Sequence, residues 1–202
     1  MEKSICVFGD STAWGAWDKE KGGWVNRLWL DLAITDNPNL YIELYNLSIS
    51  GGRTDTILAR FESEAKAREA DTLIFQTGGN DSYLTSKNGV NRVSPEEYQR
   101  NLREIIERAK PITTEIIFIG FKNVDESKTT PVSWKDIYYM NSEIQKYNKM
   151  MKEICAEEGV LFLDIYGLLE NSDFEDGLHP NVSGHEKIYQ RVKEFLKSNK
   201  II

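Results

Sequence analysis

Ile5-Cys6-Val7-Phe8 is a short, continuously apolar stretch that runs directly into the small and polar loop Gly9-Asp10-Ser11-Thr12. An apolar run of this length is typical of a strand that is buried on both faces of a parallel sheet. Similar runs recur along the chain, and amphipathic stretches separate them. The fold class follows from that recurrence.

Four further strands are predicted after the first, at residues 41–47, 72–76, 116–119 and 160–163. Apolar residues at spacings of three and four predict helices at 24–33 and 54–70. A third helix is predicted after the capping box with proline at Ser94-Pro95-Glu96-Glu97. A fourth should extend from Ser142-x-x-Gln145 to the C-cap Gly159, and a fifth should begin at Ser183. Because strands and helices alternate, we expect one α/β domain over residues 1–202. It should be a three-layer α/β/α structure with five parallel strands and helices on both faces.

Composition narrows the possible partners. The chain has 202 residues, of which 40% are hydrophobic and 28% charged, which excludes a disordered tail, a collagen and a disulfide mini-protein. Its formal net charge of −7 argues against a nucleic-acid partner, which requires a basic face. No apolar run is long enough to span a bilayer and the N-terminus has no signal-peptide pattern, so we expect no membrane partner and a cytoplasmic location. Cys6 and Cys155 are expected to be buried free thiols.

Ligands of an open parallel sheet bind beyond the carboxyl ends of its strands. Small and polar loops stand there after four of the predicted strands, at residues 9–12, 48–52, 78–81 and 176–180. Together they hold a serine, a histidine, an aspartate and several hydrogen-bond donors. A serine needs a neighbouring base to become a good nucleophile, a histidine accepts and returns protons near neutral pH, and a carboxylate fixes the histidine tautomer. These residue types suit nucleophilic attack on a carbonyl group.

Four stretches match, in order, the motif blocks of a known family, and the match extends over nearly the whole chain. They are Gly9-Asp10-Ser11, Ser50-Gly51-Gly52, Gly78-Gly79-Asn80-Asp81 and Asp176-Gly177-Leu178-His179. In these blocks the sequence resembles the GDSL or SGNH hydrolases, which are esterases, lipases, thioesterases and carbohydrate deacetylases on a flavodoxin-like sheet. At the fourth position of the first block, where the name GDSL has leucine, this sequence has Thr12.

The resemblance implies a role for each matching residue. Ser11 would be the nucleophile, His179 the base and Asp176 the orienting carboxylate. The amides of Ser11 and Gly51 and the side chain of Asn80 would form the oxyanion hole, with the neighbouring Gly52 as the alternative to Gly51.

The expected activity is therefore that of a serine ester hydrolase that acts on a small-molecule ester without a cofactor. The favoured substrate is a short acyl or acetyl ester of a small polar alcohol or a sugar. A thioesterase or lysophospholipase of the same family is an alternative, and a flavin-binding or non-catalytic flavodoxin-like module is an alternative from another class. The sequence leaves the oligomeric state open.

Other polar residues near these blocks have structural explanations. Asp10 and Asp81 are expected to brace loops, and His185 is expected to be a capping or surface residue at the start of the last helix. Only two histidines are present, and the spacing of Asp176 and His179 is poor for zinc, so no metal site is expected.

Aromatic residues near the predicted site have two explanations, core packing and substrate binding. Trp24 is expected to pack in the core. Trp14 and Trp17 follow the nucleophile, and Trp134 and Tyr138 lie on the long connection after the fourth strand, where loops often form substrate walls. These four residues are the candidates for the substrate pocket.

Overall fold

The fold is built around a parallel sheet of five strands in the order β2-β1-β3-β4-β5, as seen in a computed structural model that describes residues 2–33 and 41–202. The strands are β1 (Glu2–Gly9), β2 (Tyr41–Asn46), β3 (Thr72–Gln76), β4 (Glu115–Ile119) and β5 (Leu161–Leu163). Every pair of neighbouring strands is parallel. The predicted five-stranded parallel sheet is confirmed, and its strand order is the flavodoxin-like one, in which the order reverses between β1 and β3.

Helices lie on both faces of the sheet. They are α1 (Ser11–Trp14), α2 (Trp24–Ala33), α3 (Thr54–Leu58), α4 (Phe61–Lys66), α5 (Gly79–Ser82), α6 (Pro95–Ala109), α7 (Glu126–Thr129), α8 (Asn141–Glu158) and α9 (Val182–Ser198), with a short 3₁₀-helix at Asn171–Asp173. Alternate residues of β1 serve the two faces, as a strand requires. Ile5 and Val7 pack with α2 and α9, whereas Cys6 and Phe8 pack with α3, α4, α6 and α8.

Most element boundaries agree with the sequence pattern, and the differences have local causes. The helix predicted at 54–70 is two helices, because the chain turns at Ala59 and Arg60. The Arg60 guanidinium donates to the Leu47 carbonyl at 2.7 Å and lies 5.5 Å from the Phe8 ring centroid, which draws this residue toward the sheet.

The predicted helix ends were correct in two cases and wrong in two. Ser94 Oγ accepts a hydrogen bond from the Glu97 amide, and Gly159 has a left-handed φ of 68°, so both of these caps are confirmed. The cap predicted at Ser142 is wrong, because α8 begins at Asn141 with Met140 as its N-cap and has no side-chain cap bond. The start predicted at Ser183 is also wrong, because α9 begins at Val182 and the Asn181 side chain caps it.

The long connection between β4 and α8 has a small apolar core of its own. Its buried members are Phe121, Val124, Val132, Ile137, Tyr139, Ile144 and Leu178. Leu178 belongs to the last motif block, so this cluster joins the connection to the loop that carries His179. The connection is thereby held beside the carboxyl edge of the sheet.

The cysteines and the helices bear on two statements made from composition. Cys6 and Cys155 are free and buried, as expected. Among the helices of residues 2–33 and 41–202, none combines the length and the apolar character that a bilayer crossing requires.

Candidate active site

Three side chains from distant parts of the chain form one line of hydrogen bonds at the carboxyl edge of the sheet. Ser11 Oγ lies 2.9 Å from His179 Nε2, and His179 Nδ1 lies 2.7 Å from Asp176 Oδ2. Ser11 begins α1 directly after β1, whereas Asp176 and His179 lie in the turn that precedes α9. The sheet therefore brings together a hydroxyl, an imidazole and a carboxylate that are 168 residues apart at their extremes.

Asp176 is held as an anion. Burial by itself raises the pKa of this carboxyl, but hydrogen bonds from the His179 ring and from the His179 and Leu178 amides outweigh that effect and bring its pKa to about 2. Asp176 Oδ1 accepts both amides, at 2.7 and 3.0 Å, which leaves Oδ2 for the imidazole. The turn thus fixes the carboxylate, and the carboxylate fixes the ring. A carboxylate at Nδ1 keeps the proton there and leaves Nε2 free to accept one from Ser11.

The backbone amides of Ser11 and Gly51 are available as hydrogen-bond donors. Within the described residues, neither the Ser11 amide nor the Gly51 amide donates to another protein group, whereas the Gly52 amide donates to the Ile49 carbonyl at 2.8 Å. Gly51 adopts a φ of +79°, a conformation that favours glycine. The geometry therefore favours Gly51 over Gly52 as the second donor of an oxyanion hole.

The Asn80 amide is oriented by contacts at both of its atoms. Its Oδ1 accepts a hydrogen bond from the Tyr139 hydroxyl at 2.6 Å, and its Nδ2 donates to the Gly52 carbonyl at 3.0 Å. Burial raises the pKa of Tyr139, so its hydroxyl remains a donor at neutral pH. One N–H of Nδ2 is used by Gly52, which leaves the second N–H for a group in the cleft.

A cleft of about 360 Å³ opens over these groups. Its walls are formed by Ser11, Trp17, Ser50, Gly51, Asn80, Trp134, Tyr139, Asp176, Leu178 and His179. The ring of Trp134 stacks on His179 at a centroid distance of 5.9 Å, and Trp17 meets the same ring edge-on at 6.0 Å. The His179 imidazole is therefore flanked by two indoles at the cleft mouth.

Two of the four aromatic candidates lie elsewhere. Trp14 is not part of the cleft lining; it is half-exposed and packs edge-on against Trp17. Tyr138 also lies outside the lining, since its backbone pairs with Leu84 in an antiparallel bridge. Its neighbour Tyr139 lines the cleft instead. Backbone pairing at 138 turns consecutive side chains in opposite directions, and the sequence alone does not indicate which of the two tyrosines turns inward.

Residues 7–187 match the family model of the GDSL-like Lipase/Acylhydrolase family, and this match covers most of the chain. The chain belongs to this family, and it is an ester hydrolase. The resemblance seen in the motif blocks is thereby confirmed at the level of the family.

The chain is also similar to individual proteins, and its likeness to the solved structures concerns the fold. The chain is 24% identical to the human isoamyl acetate-hydrolyzing esterase 1 homolog, with coverage of 96% of this chain and 81% of the relative, and 24% identical to YpmR of Bacillus subtilis (strain 168) with the same coverage. The crystal structure of Axe2, an acetylxylan esterase from Geobacillus stearothermophilus, superposes with a TM-score of 0.75 at 22% identity, over 96% of this chain and 93% of Axe2. Solved structures of Axe2 include catalytic mutants in which a serine, an aspartate or a histidine is replaced by alanine.

Two further carboxylates brace the loops of this GDSL-like hydrolase. Asp10 Oδ1 accepts from the Thr12 amide at 2.8 Å and so caps α1. Asp81 accepts from the amide and hydroxyl of Thr54 at 3.0 and 2.5 Å, which ties the loop after β3 to the start of α3. Both carboxylates have the loop-bracing contacts that the sequence predicted. Desolvation raises the pKa of Asp81 to about 6, although the Thr54 bonds oppose it.

His185 corrects one prediction, because it is neither a cap nor a surface residue. Its ring is fully buried, with Nε2 2.9 Å from the Ala16 carbonyl and Nδ1 accepting from the Trp24 amide at 3.2 Å. Asn181 is the residue that caps α9. Burial lowers the pKa of His185 to about 4, so the ring is neutral at physiological pH. It joins the segment before Trp17 to α2 and α9. In the described part of the chain, no group of three or more His, Cys, Asp or Glu side chains is arranged around a common point for a metal ion.

Proposed function

We propose that this hydrolase cleaves short acyl esters through a Ser11–His179–Asp176 catalytic triad and a covalent acyl-enzyme. The observation that carries this proposal is the continuous hydrogen-bond line from Ser11 Oγ to Asp176, with its hydroxyl end in the cleft. The replaced serine, aspartate and histidine of the Axe2 catalytic mutants are the same three residue types.

Acylation begins when Ser11 Oγ attacks the ester carbonyl carbon and passes its proton to His179 Nε2, which already lies 2.9 Å away. The carbonyl oxygen becomes an oxyanion. The Ser11 and Gly51 amides and the free N–H of Asn80 are the donors that would receive it, and each such donor stabilises the transition state by about 3 kcal/mol. The ester C–O bond then breaks, and the alcohol leaves with the proton from His179.

Deacylation repeats these steps with water in place of the alcohol. His179 removes a proton from water, whose oxygen attacks the acyl carbon on Ser11. The bond between the acyl carbon and Ser11 Oγ then breaks, and Oγ recovers the proton from His179 while the carboxylic acid departs. The Asp176 carboxylate, whose pKa is about 2, stabilises the imidazolium in both halves without itself taking up a proton.

The cleft favours a small acyl group on a polar alcohol or sugar. A volume of about 360 Å³ is near the lower end of the range for ligand pockets, roughly 300–1,000 Å³. The half-exposed indoles of Trp17 and Trp134 stand at the mouth, where a flat ring face suits a sugar or a small alcohol. Acetyl esters also occur in the names of Axe2 and the isoamyl acetate-hydrolyzing relative.

The test is hydrolysis of p-nitrophenyl esters from acetate to palmitate, run beside acetylated sugars, with the wild type and Ser11→Ala. We expect kcat/KM to be highest for acetate or butyrate, and we expect Ser11→Ala to lose on the order of 10⁴-fold or more of kcat while it remains folded. Ser198→Ala is the matched control, because its exposed hydroxyl, near the end of α9, donates to the Phe195 carbonyl and accepts from the Asn199 side chain, and Ser198 does not line the cleft. Unchanged turnover in Ser11→Ala would reject the triad, and a maximum at palmitate would reject the short-chain preference.

A further inference from the structure

Trp17 contacts the turn that carries Asp176 and His179 at three points. Its backbone amide donates to the Pro180 carbonyl at 2.9 Å, its indole Nε1 donates to Asp176 Oδ2 at 3.4 Å, and its ring meets the His179 ring edge-on with 6.0 Å between the centroids. Oδ2 is also the carboxylate oxygen that lies 2.7 Å from His179 Nδ1. The indole N–H therefore reaches the same oxygen that orients the imidazole.

The stretch of chain before Trp17 is bonded to the serine of the site. The Ser11 carbonyl accepts hydrogen bonds from the amides of Gly15 and Ala16, at 3.1 and 2.9 Å. Trp17 is the next residue. A short, hydrogen-bonded segment thus joins Ser11 to the turn that Trp17 contacts.

Buried polar groups hold both neighbours of Trp17 in place. The Ala16 carbonyl lies 2.9 Å from His185 Nε2, and the Asp18 carboxylate accepts from the Arg27 guanidinium and from three nearby backbone amides. Burial by itself raises the pKa of Asp18, but these hydrogen bonds bring it to about 2, so the carboxylate stays charged at neutral pH. Trp17 is therefore anchored through the backbone on both sides, although its indole is half-exposed.

We propose that Trp17 is a positioning residue for ester hydrolysis, which holds the turn that carries Asp176 and His179 at the distance that Ser11 requires. Proton transfer from Ser11 Oγ to His179 Nε2 depends on their separation of 2.9 Å, and small displacements of reacting groups are costly in rate. Trp17 acts through the Asp176 carboxylate and the Pro180 carbonyl, since an indole N–H donates a hydrogen bond and takes up no proton. Because Ser11, His179 and Asp176 are the proposed triad, this role rests on the proposed function.

Trp134 shows how this role differs from that of a cleft wall. Both indoles line the cleft, flank the His179 ring and are about half-exposed. In the described part of the chain, however, only the Trp17 indole donates a hydrogen bond to Asp176. A wall residue changes substrate affinity in a way that depends on the alcohol, whereas a positioning residue changes the turnover of every acetyl ester by the same factor.

The test compares Trp17→Phe, Trp17→Ala and Trp134→Phe with the wild type on p-nitrophenyl acetate and on an acetylated sugar. Titration with a fluorophosphonate gives the concentration of active enzyme, so that inactive molecules do not lower the measured kcat. Trp17→Phe keeps the backbone bond and an aromatic ring but loses the indole N–H, and we expect its kcat to fall about threefold on both esters with KM within about twofold. Trp17→Ala also loses the ring contact with His179, and its kcat should fall about tenfold or more.

Trp134→Phe removes an indole N–H from the same cleft without removing a hydrogen bond to Asp176, so its loss of kcat should be smaller than that of Trp17→Phe. Trp29→Phe is the matched control, since Trp29 is an exposed indole of α2 outside the cleft lining, and it should keep the wild-type kcat and KM. Circular dichroism establishes that each variant is folded, and Trp17→Phe alone decides if Trp17→Ala does not fold.

A wild-type kcat in Trp17→Phe would overturn the proposal, as would a loss of kcat that differs between the two esters or that Trp134→Phe reproduces in full. Ser11→Ala separates the two levels. Ester turnover that persists in Ser11→Ala rejects the proposed function, whereas an inactive Ser11→Ala together with a wild-type kcat in Trp17→Phe rejects only the role of Trp17.

Discussion

The two histidines of this protein lie six positions apart, in the turn before α9 and in its first turn, yet their surroundings differ in every respect. The ring nitrogens of His179 meet the Ser11 hydroxyl and the Asp176 carboxylate, at the edge of a cleft. Those of His185 meet a backbone carbonyl and a backbone amide in the core. A ring between side chains can gain and lose protons during a reaction, whereas a ring between fixed backbone groups is locked in one neutral tautomer. The partners of a histidine, more than its position in sequence, thus decide whether it serves chemistry or stability.

The largest expected effect comes from replacing the two histidines in turn. His179→Ala should lower kcat on the order of 10⁴-fold, because the enzyme loses its general base. The free energy of unfolding should change little, because the His179 side chain is partly exposed. His185→Ala should lower the free energy of unfolding by roughly 3 kcal/mol, through a cavity and two unpaired backbone groups, with kcat within about tenfold. Steady-state kinetics and urea unfolding measure both quantities. A large loss of stability in His179→Ala together with a large loss of kcat in His185→Ala would contradict the comparison.

Asn80 extends the contrast to a neutral side chain at the cleft. Asn80→Ala should lower kcat on the order of 10²–10³-fold with a smaller change in KM, since its free N–H acts on the developing oxyanion. Tyr139→Phe is the companion variant: it removes the hydroxyl that orients Asn80 but keeps the ring, so its loss should be smaller. Equal kcat for Asn80→Ala and the wild type would remove this residue from the oxyanion hole.

Acidification should reveal His185 through stability. Its pKa is about 4 in the folded protein, whereas a solvent-exposed histidine titrates at about 6.5, so between these pH values the unfolded chain binds more protons. The stabilisation from the neutral ring is therefore complete above about pH 6.5 and falls by roughly 3 kcal/mol as pH drops through 4. Urea unfolding from pH 7 to 4 measures it, and His185→Gln should lack this component. The same pH dependence in wild type and His185→Gln would contradict the locked tautomer.

The sequence predicted the sheet and the motif blocks well, because both depend on local pattern. Residues 5–8 are all buried and alternate between the two faces of the sheet, as strand geometry requires. Asp176 and His179 lie within a single turn of chain. Apolar runs and closely spaced motif residues can be recognised in a sequence without knowledge of the tertiary contacts.

The residues that the sequence missed owe their roles to distant contacts. In the sequence Lys122 looks like any charged residue of a loop, yet it is fully buried beside the rings of Phe121 and Phe174, the second of which is about 50 positions away. His185 was taken for a surface residue because its burial depends on α2 and on the segment before Trp17, which are about 160 positions away. Tyr139 differs from Tyr138 only by the direction that a bridge to Leu84 imposes. Each depends on tertiary packing, for which a single sequence carries little signal.

The most direct test of the central claim is to identify by mass spectrometry the residue that a fluorophosphonate modifies in the wild type and in His179→Ala. The Ser11 oxygen would attack phosphorus and displace fluoride, with its proton passing to His179. The account predicts a single adduct on Ser11 in the wild type and labelling slower by orders of magnitude in His179→Ala. An adduct on another residue, or equal labelling rates in the two proteins, would contradict it.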